Sequence, residues 1–324
     1  MKNSAFYLSL LLVLAAFGVL LWAPAEAAEG ARRGMSVCAT VIVPSLLPFL
    51  VLSALLNALG FPQLLAQAAG GLMGALFGAS GAAAAPLLLG LTGGYPVGAA
   101  SVADLVRRGE IDENEGSRLL PFCNNTGPAF IIGAAGSGVF GSAAAGLLLY
   151  ASHILAAVCV GVLFSVGAPR KQNETSRLTL AVRSLASALP ESVKGAVTAM
   201  LNICGFVVFF SVVTALLDAL GVFSDAAGRL AVHAHLELRF ARALLAGILE
   251  LGSGISALRG LTAAPGNLAL AGFLLGFGSL SVHCQTLAAV SGTNIKVSRH
   301  FAGRLLHGLL SAGITFFAAG LLHW

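Results

Sequence analysis

Charge is scarce in this sequence. Asp, Glu, Lys and Arg make up 10% of its 324 residues, against about 25% in an ordinary soluble domain, while 57% are hydrophobic. Mean hydropathy is +0.92. The scarcity is organised into runs. No charged side chain falls between Gly34 and Ala103, Leu119 and Pro169, Gly195 and Leu217, Leu261 and Ile295, or Leu305 and Trp324. A bilayer-crossing helix needs roughly 20 apolar residues, so the longest runs hold more than one crossing each. An all-α polytopic membrane protein is implied. Cysteine is sparse as well. Cys38, Cys123, Cys159, Cys204 and Cys284 lie in apolar context with no C-x-x-C spacing, which supports neither a disulfide framework nor a zinc site. Basic residues are scattered through short linkers, 18 Lys and Arg against 13 Asp and Glu, and this argues against nucleic acid as a partner. Enzyme signatures are missing too: there is no G-x-S-x-G elbow, no H-E-x-x-H and no P-loop.

What remains is apolar length and its interruptions. The pattern predicts spans near residues 4–23, 36–60, 128–166 (two spans), 192–221 and 302–322. The basic, apolar opening "MKNSAFYLSLLLVLAAFGVLLWAPAEAA" resembles a secretory signal. Its uncharged stretch outruns a usual signal core and another span follows at once, so residues 1–34 are read as a retained first span with its loop. Residues 104–118 and 170–194 are polar linkers, the second basic, cytoplasmic by the positive-inside rule, and expected to carry an amphipathic helix from Leu178 to Leu189. Residues 225–242 are expected to form one interfacial amphipathic helix.

The stretches 63–101, 243–258 and 265–294 are apolar but dense in Gly, Ser, Thr and Pro. Straight helices have no need of that composition. Re-entrant hairpins and broken helices do, because irregular backbone at membrane depth is tolerated only inside protein or along a cavity. An internal repeat supports the same reading. "ATVIVPSLLPFLVLSALLNALG" (39–60) aligns without gaps to "MLNICGFVVFFSVVTALLDALG" (200–221), with nine of 22 positions identical. At the same offset, Cys123-Asn124 falls on Cys284-Gln285 as a weaker echo. Two halves with glycine-interrupted segments are the signature of a secondary transporter, here 35–169 and 195–324.

Four segments carry the candidate chemistry: "LTGGYPVGA" (91–99), "PFCNNTGPAFIIG" (121–133), "LELGSGIS" (249–256) and "GFGSLSVHCQTLAAVSGTN" (276–294). Each joins flexible backbone to polar side chains. A helix that restarts after a break presents unpaired N–H groups and the positive end of its dipole, which suit a polar or anionic solute. The expected solute-binding residues are Thr92, Gly93, Gly94 and Tyr95; Asn124, Asn125 and Thr126; Ser253; and Ser279, Ser281 and Gln285. Small residues also serve plain helix packing, and that is the reading for "GLMGALFGASGAAAA" (71–85). Glu250, the only charge between Arg242 and Arg259, is read as a coupling or solute-binding carboxylate; the alternative is an ion pair with Arg242 or Arg259. His283 is a proton acceptor for coupling or a packing residue. His153 is read as structural. Asp218 stands where the first repeat has Asn57, which suggests helix termination. No arginine belongs to either half-site, so dipoles and neutral donors are expected to hold the guest.

The motifs "GGYPVGA", "FCNNTGPAFIIG", "LELGSGIS" and "GFGSLSV-x-x-Q" resemble those of the sporulation integral membrane protein YlbJ family (stage V sporulation protein V), part of the nucleoside-recognition or Gate group. The resemblance runs from about Met35 to Gly303. It implies a fold similar to concentrative nucleoside transporters, with two inverted repeats, two helical hairpins and a midplane site. It further implies transport of dipicolinic acid (pyridine-2,6-dicarboxylate) across the outer forespore membrane of a sporulating bacterium. Thr92-Gly93-Gly94 and Leu251-Gly252-Ser253 depart from the Ser-Gly and Val-Thr-Asn-like runs expected there. The alternatives are a nucleoside or other small-solute carrier, and a non-transporting membrane scaffold for spore formation. Expected partners are a small solute and membrane lipid, with no cofactor beyond a coupling proton or Na+. Assembly into a homo-oligomer is left open.

Overall fold

A computed structural model describes residues 2–168 and 184–324 of the protein, and every regular element among them is helical. Helices α1 (Lys2–Trp22) and α2 (Pro24–Val37) meet at a bend of 99°. Pro24 explains the break, since proline suits the first turn of a new helix but cannot extend the old one. A π-helical turn, Cys38–Ile42, carries α2 into α3 (Val43–Ala58). The span expected at 36–60 therefore begins earlier, and α2 runs through the boundary drawn at residue 34.

The rest of the first half comprises α4 (Phe61–Phe77), α5 (Ala84–Gly93), α6 (Val97–Arg107), α7 (Glu113–Cys123), a π-helical segment Ala129–Val139, and α8 (Ala143–Phe164). The second half comprises α9 (Leu185–Ala219), α10 (Val222–His233), α11 (Leu238–Leu249), α12 (Leu251–Ala257), α13 (Pro265–Phe277), α14 (Leu280–Val290) and α15 (Val297–Leu321). Set side by side, the halves have one order of elements. A scaffold helix (α3, or the end of α9) is followed by a connecting helix (α4 or α10). Next come a helical hairpin (α5–α6 or α11–α12), a broken helix (α7 with the π segment, or α13–α14) and a last span (α8 or α15).

Several expectations are corrected. Residues 225–242 are not one amphipathic helix: α10 stops at His233, His235 takes a left-handed φ of 52°, and α11 turns back as a hairpin arm. Residues 128–166 hold one short π-helical segment and one span rather than two spans. The polar linker at 104–118 shrinks to residues 108–112, because Asp112 caps α7 by accepting from the Glu115 amide at 2.7 Å. Of the amphipathic helix expected over 178–189, residues 178–183 lie outside the described residues and the remainder opens α9. The echo of Cys123-Asn124 in Cys284-Gln285 marks no structural equivalence. Cys123 ends α7, whereas Cys284 lies inside α14, because the second half is shorter and α10 has 12 residues where α4 has 17.

Among the described residues, four helical stretches are long and apolar enough to cross a membrane, and up to six if each bent pair counts as one span. In the most apolar 18 residues of the broken helix Pro265–Val290, 61% are buried, against 33% in the like stretches of α9 and α15, so it stands at the centre of the bundle. Leu201, Phe209, Phe317 and Leu321 point outward from the flanking helices, as lipid-facing side chains do.

Candidate functional site

The first hairpin turns at Gly93–Pro96. Gly94 takes a φ of +79°, a conformation that side-chain-bearing residues avoid. The hairpin arms also close on a neighbour. A Cβ at Gly90 or Gly98 would lie 1.7 or 1.8 Å from the Cys123 carbonyl oxygen, so both positions need glycine for α5 and α6 to clasp the last turn of α7. Tyr95, at the tip, is buried and donates its hydroxyl to the Leu275 carbonyl at 3.4 Å. Thr92 spends its hydroxyl on Leu88 of its own helix at 2.8 Å. Gly93 packs where a Cβ would meet the Ser53 hydroxyl at 3.0 Å.

The second hairpin turns at Glu250, whose extended backbone separates α11 from α12. Its carboxylate accepts from the amides of Gly252 at 2.8 Å and Ser253 at 2.6 Å, and the residue is 3% exposed. Neither arginine considered for an ion pair reaches it. Arg242 bonds Asp218 at 3.2 Å and Ser224 at 3.1 Å, and Arg259 is exposed. Asp218 in turn joins α9 to α10 and α11 through Ser224 and Arg242.

The two broken helices supply the facing wall. After α7, Asn124 accepts from the Ala99 amide at 3.3 Å and donates to the Thr286 hydroxyl at 2.8 Å. Asn125 donates to the Phe122 carbonyl at 2.7 Å. Both Asn side chains are fully buried and spent on protein partners. Thr126 donates its hydroxyl to Leu275 at 2.9 Å and its amide to His153 Nε2 at 3.2 Å. In the second half, Gly278 (φ +84°) ends α13 and the Ser279 hydroxyl caps α14 by accepting from the Val282 amide at 3.2 Å. Ser281 accepts from Gln285 at 3.4 Å.

Both hairpin turns, the break after α7 and the start of α14 meet around a cavity of about 50 Å³, room for a few water molecules. Its wall is built from Tyr95, then Thr126, Gly127 and Phe130, then Glu250 and Gly252, then Val282 and Gln285, closed by Ile42, Leu46, Ile203 and Val207 of the scaffold helices. Of the residues singled out from sequence, Tyr95, Thr126, Glu250 and Gln285 share this wall. Ser253 instead faces a vestibule of about 500 Å³ whose lining includes Arg33, Ser211, Asp218 and Arg242. The Glu250–Ser253 turn thus parts vestibule from cavity. His283 is not on the cavity wall; its Nδ1 lies 3.2 Å from His300 Nε2, and the Phe277 and Phe301 rings meet it edge-on at 5.0 and 4.9 Å.

Sequence reading passed over Arg304 of α15, which is fully buried. Its Nη1 donates to the Asn124 carbonyl at 2.9 Å, to Asn125 Oδ1 at 3.3 Å and to His307 Nδ1 at 2.8 Å. Its Nη2 donates to the Tyr95 hydroxyl, the Gly276 carbonyl and, at 3.4 Å, the Leu275 carbonyl. One guanidinium therefore caps the carbonyl ends of α7 and α13, the matching helices of the two halves. Because guanidinium can only donate, His307 carries its proton on Nε2, which donates to the His153 carbonyl at 3.0 Å. An arginine at membrane depth costs roughly 2.5–3.5 kcal/mol on insertion scales, and these acceptors offset it. The signal for this residue was spacing. His300, Arg304, His307, Ser311 and Thr315 recur at intervals of four, three, four and four on one buried face of an otherwise apolar helix. Among the described residues, no group of three or more His, Cys, Asp or Glu is placed to hold a metal ion.

Comparison with known proteins places this arrangement. Residues 39–170 match the Gate family, described as nucleoside recognition. The sporulation integral membrane protein YlbJ of Bacillus subtilis (strain 168) is 30% identical over 332 aligned positions, covering 93% of this chain and 81% of that protein. The chain belongs to the YlbJ family. Among solved structures, this YlbJ-family chain is similar to a CNTnw variant in an outward-facing state, with a TM-score of 0.54 at 17% identity over 99% of this chain and 85% of the other. A second variant, in an intermediate state, gives 0.52 at 17% identity over 99% and 86%. At such identity the likeness establishes the fold alone. It is the fold expected from the resemblance to concentrative nucleoside transporters, and this YlbJ relative is an integral membrane protein.

Proposed function

We propose that the protein is a secondary transporter of a small polar or anionic metabolite, and that the metabolite is dipicolinate, carried across the outer forespore membrane during sporulation. The observation that supports this most is the convergence of both hairpin turns, the break after α7 and the start of α14 on one small cavity. Pockets that hold drug-sized ligands measure about 300–1,000 Å³, so this is a closed conformation and the hairpins must part to admit a solute. The vestibule beside Ser253 supplies a route to the Glu250 hairpin. Residues 35–169 and 195–324 act as the two repeats around the site.

In this reading Tyr95, Thr126, Gln285 and the backbone of Gly252 meet the solute. Asn124, Asn125, Ser279 and Ser281 hold the breaks in shape around it. Glu250, a buried carboxylate on the cavity wall, couples transport to a proton or Na+. His283 belongs with His300 behind that wall. Carriage of a nucleoside is the second reading, favoured by the match of residues 39–170 to a nucleoside-recognition family; Phe130 on the wall would then face the base. Purified protein in liposomes, offered labelled dipicolinate and uridine with and without a pH or sodium gradient, tests both. Gradient-driven dipicolinate uptake is expected. Uridine flux without dipicolinate flux reverses the order of the two readings.

A further inference from the structure

We propose that Arg304 is the anion-recognition residue of the central site, held behind Tyr95, and that it confines the solute to small carboxylates. This rests on the carrier reading above and adds what that reading lacks, a source of charge selectivity.

Arg304 is fully buried, and among the described residues no carboxylate pairs with it. All of its acceptors are neutral: backbone carbonyls, the Asn125 amide, the His307 ring and the Tyr95 phenol. Its Nε is buried with no hydrogen-bond partner. Carbonyl capping of two helix ends needs donors, and neutral side chains or water could supply them. It does not need a full charge, whose burial without a counter-ion is costly. Glu250 could have neutralised the site from the cavity wall, yet its oxygens are turned to its own hairpin amides. A positive charge is thereby left uncompensated one side chain behind the cavity.

Tyr95 is that one side chain. It lines the cavity, its ring centroid is 5.3 Å from the guanidinium carbon, and its hydroxyl is an acceptor for Nη2. Thr126, also on the wall, shares the Leu275 carbonyl with Arg304. Nε and Nη2 form the side-on edge of the guanidinium, the fork that takes both oxygens of a carboxylate. When Tyr95 turns, a carboxylate oxygen replaces the phenol on Nη2 and the second oxygen reaches the unpartnered Nε–H. A neutral solute gains none of this.

The test compares dipicolinate with its neutral diamide, pyridine-2,6-dicarboxamide, and with uridine, by calorimetric titration of the purified full-length protein. Wild type is expected to prefer the dicarboxylate over the diamide by about tenfold or more, the scale of one charge-assisted contact. Arg304→Gln should erase that preference, and Arg304→Lys should keep it with weaker binding. Thermal unfolding of each variant reports its integrity. A folded Arg304→Gln that still prefers the dicarboxylate overturns the proposal. Should Arg304→Gln not fold, Tyr95→Phe decides: it removes a competing acceptor and should keep or raise the preference, whereas loss of preference overturns the assignment. Binding of uridine or the diamide with refusal of the dicarboxylate also overturns it, and leaves the carrier standing. Binding of none of the three by wild type overturns the carrier reading as well.

Discussion

Replacing Glu250 separates two jobs that its carboxylate does at once. The first is capping: the oxygens accept from Gly252 and Ser253 at 2.8 and 2.6 Å. Loss of a cap costs about 0.5–2 kcal/mol, and a hydrogen bond to a charged group is worth about 1.5–3 kcal/mol. Glu250→Ala should therefore fall near 2 kcal/mol by these measures, which moves the melting temperature by several degrees at about 2–4 °C per kcal/mol. Glu250→Asp retains capping, since Asp reaches the same two amides as an ordinary N-cap residue, and its stability should match wild type. It withdraws the carboxylate from the cavity by one methylene. Glu250→Gln keeps the length and one acceptor oxygen but abolishes the charge. If the second job is coupling, Glu250→Asp should melt close to wild type and Glu250→Gln between it and Glu250→Ala, since one of the two amides loses its acceptor, and both should lose gradient-driven solute accumulation. The assays are thermal unfolding in detergent and liposome uptake under an imposed pH or sodium gradient. Should Glu250→Gln accumulate solute at the wild-type rate with the same gradient dependence, the carboxylate is a cap and nothing more.

Gly98→Ala should cost about 3 kcal/mol or more, above ordinary overpacking, because the new methyl would sit 1.8 Å from a backbone oxygen with no flexible end to give way; thermal unfolding and loss of uptake read this out. Asn124→Ala combined with Asn125→Ala should lower the melting temperature and the dipicolinate content of spores together, since four hydrogen bonds between α6, α7, α14 and α15 are lost. Unchanged dipicolinate content would remove that motif from the mechanism. Arg242→Ala should shift stability by no more than about 1 kcal/mol, because its pair with Asp218 is well exposed; a denaturation curve checks it.

The membrane character, the helix breaks and the doubling of the chain were all legible in the sequence, because each is a local matter. Charge-free length, Gly94 and Gly278 at left-handed angles, and the shared "ALL-x-ALG" ending need no knowledge of distant neighbours. Boundaries were less legible. Nothing before His235 announces the turn that splits α10 from α11, and the π-helical turns at Cys38 and Ala129 leave no periodicity that differs from an α-helix over so few residues. The centre of the site was the least visible. Asn124 and Asn125 looked like solute donors because their partners Thr286 and Arg304 lie 162 and 179 residues away. Arg304 was overlooked because a lone arginine near Arg299 and Lys296 reads as the basic end of a span. Only the four–three–four–four spacing of polar residues along α15 distinguished it, and that spacing gains meaning once the helix is known to face inward.

A consequence follows for how such a duplicated protein can evolve. Doubling gave each half its own hairpin, its own interrupted helix and its own final span, but the carbonyl ends of α7 and α13 are both finished by one side chain from the second half. The first half alone would expose bare acceptors in lipid, and the second alone would hold a cation with half its ligands missing. At this guanidinium the symmetry of the two halves is given up, so they survive or fail as one.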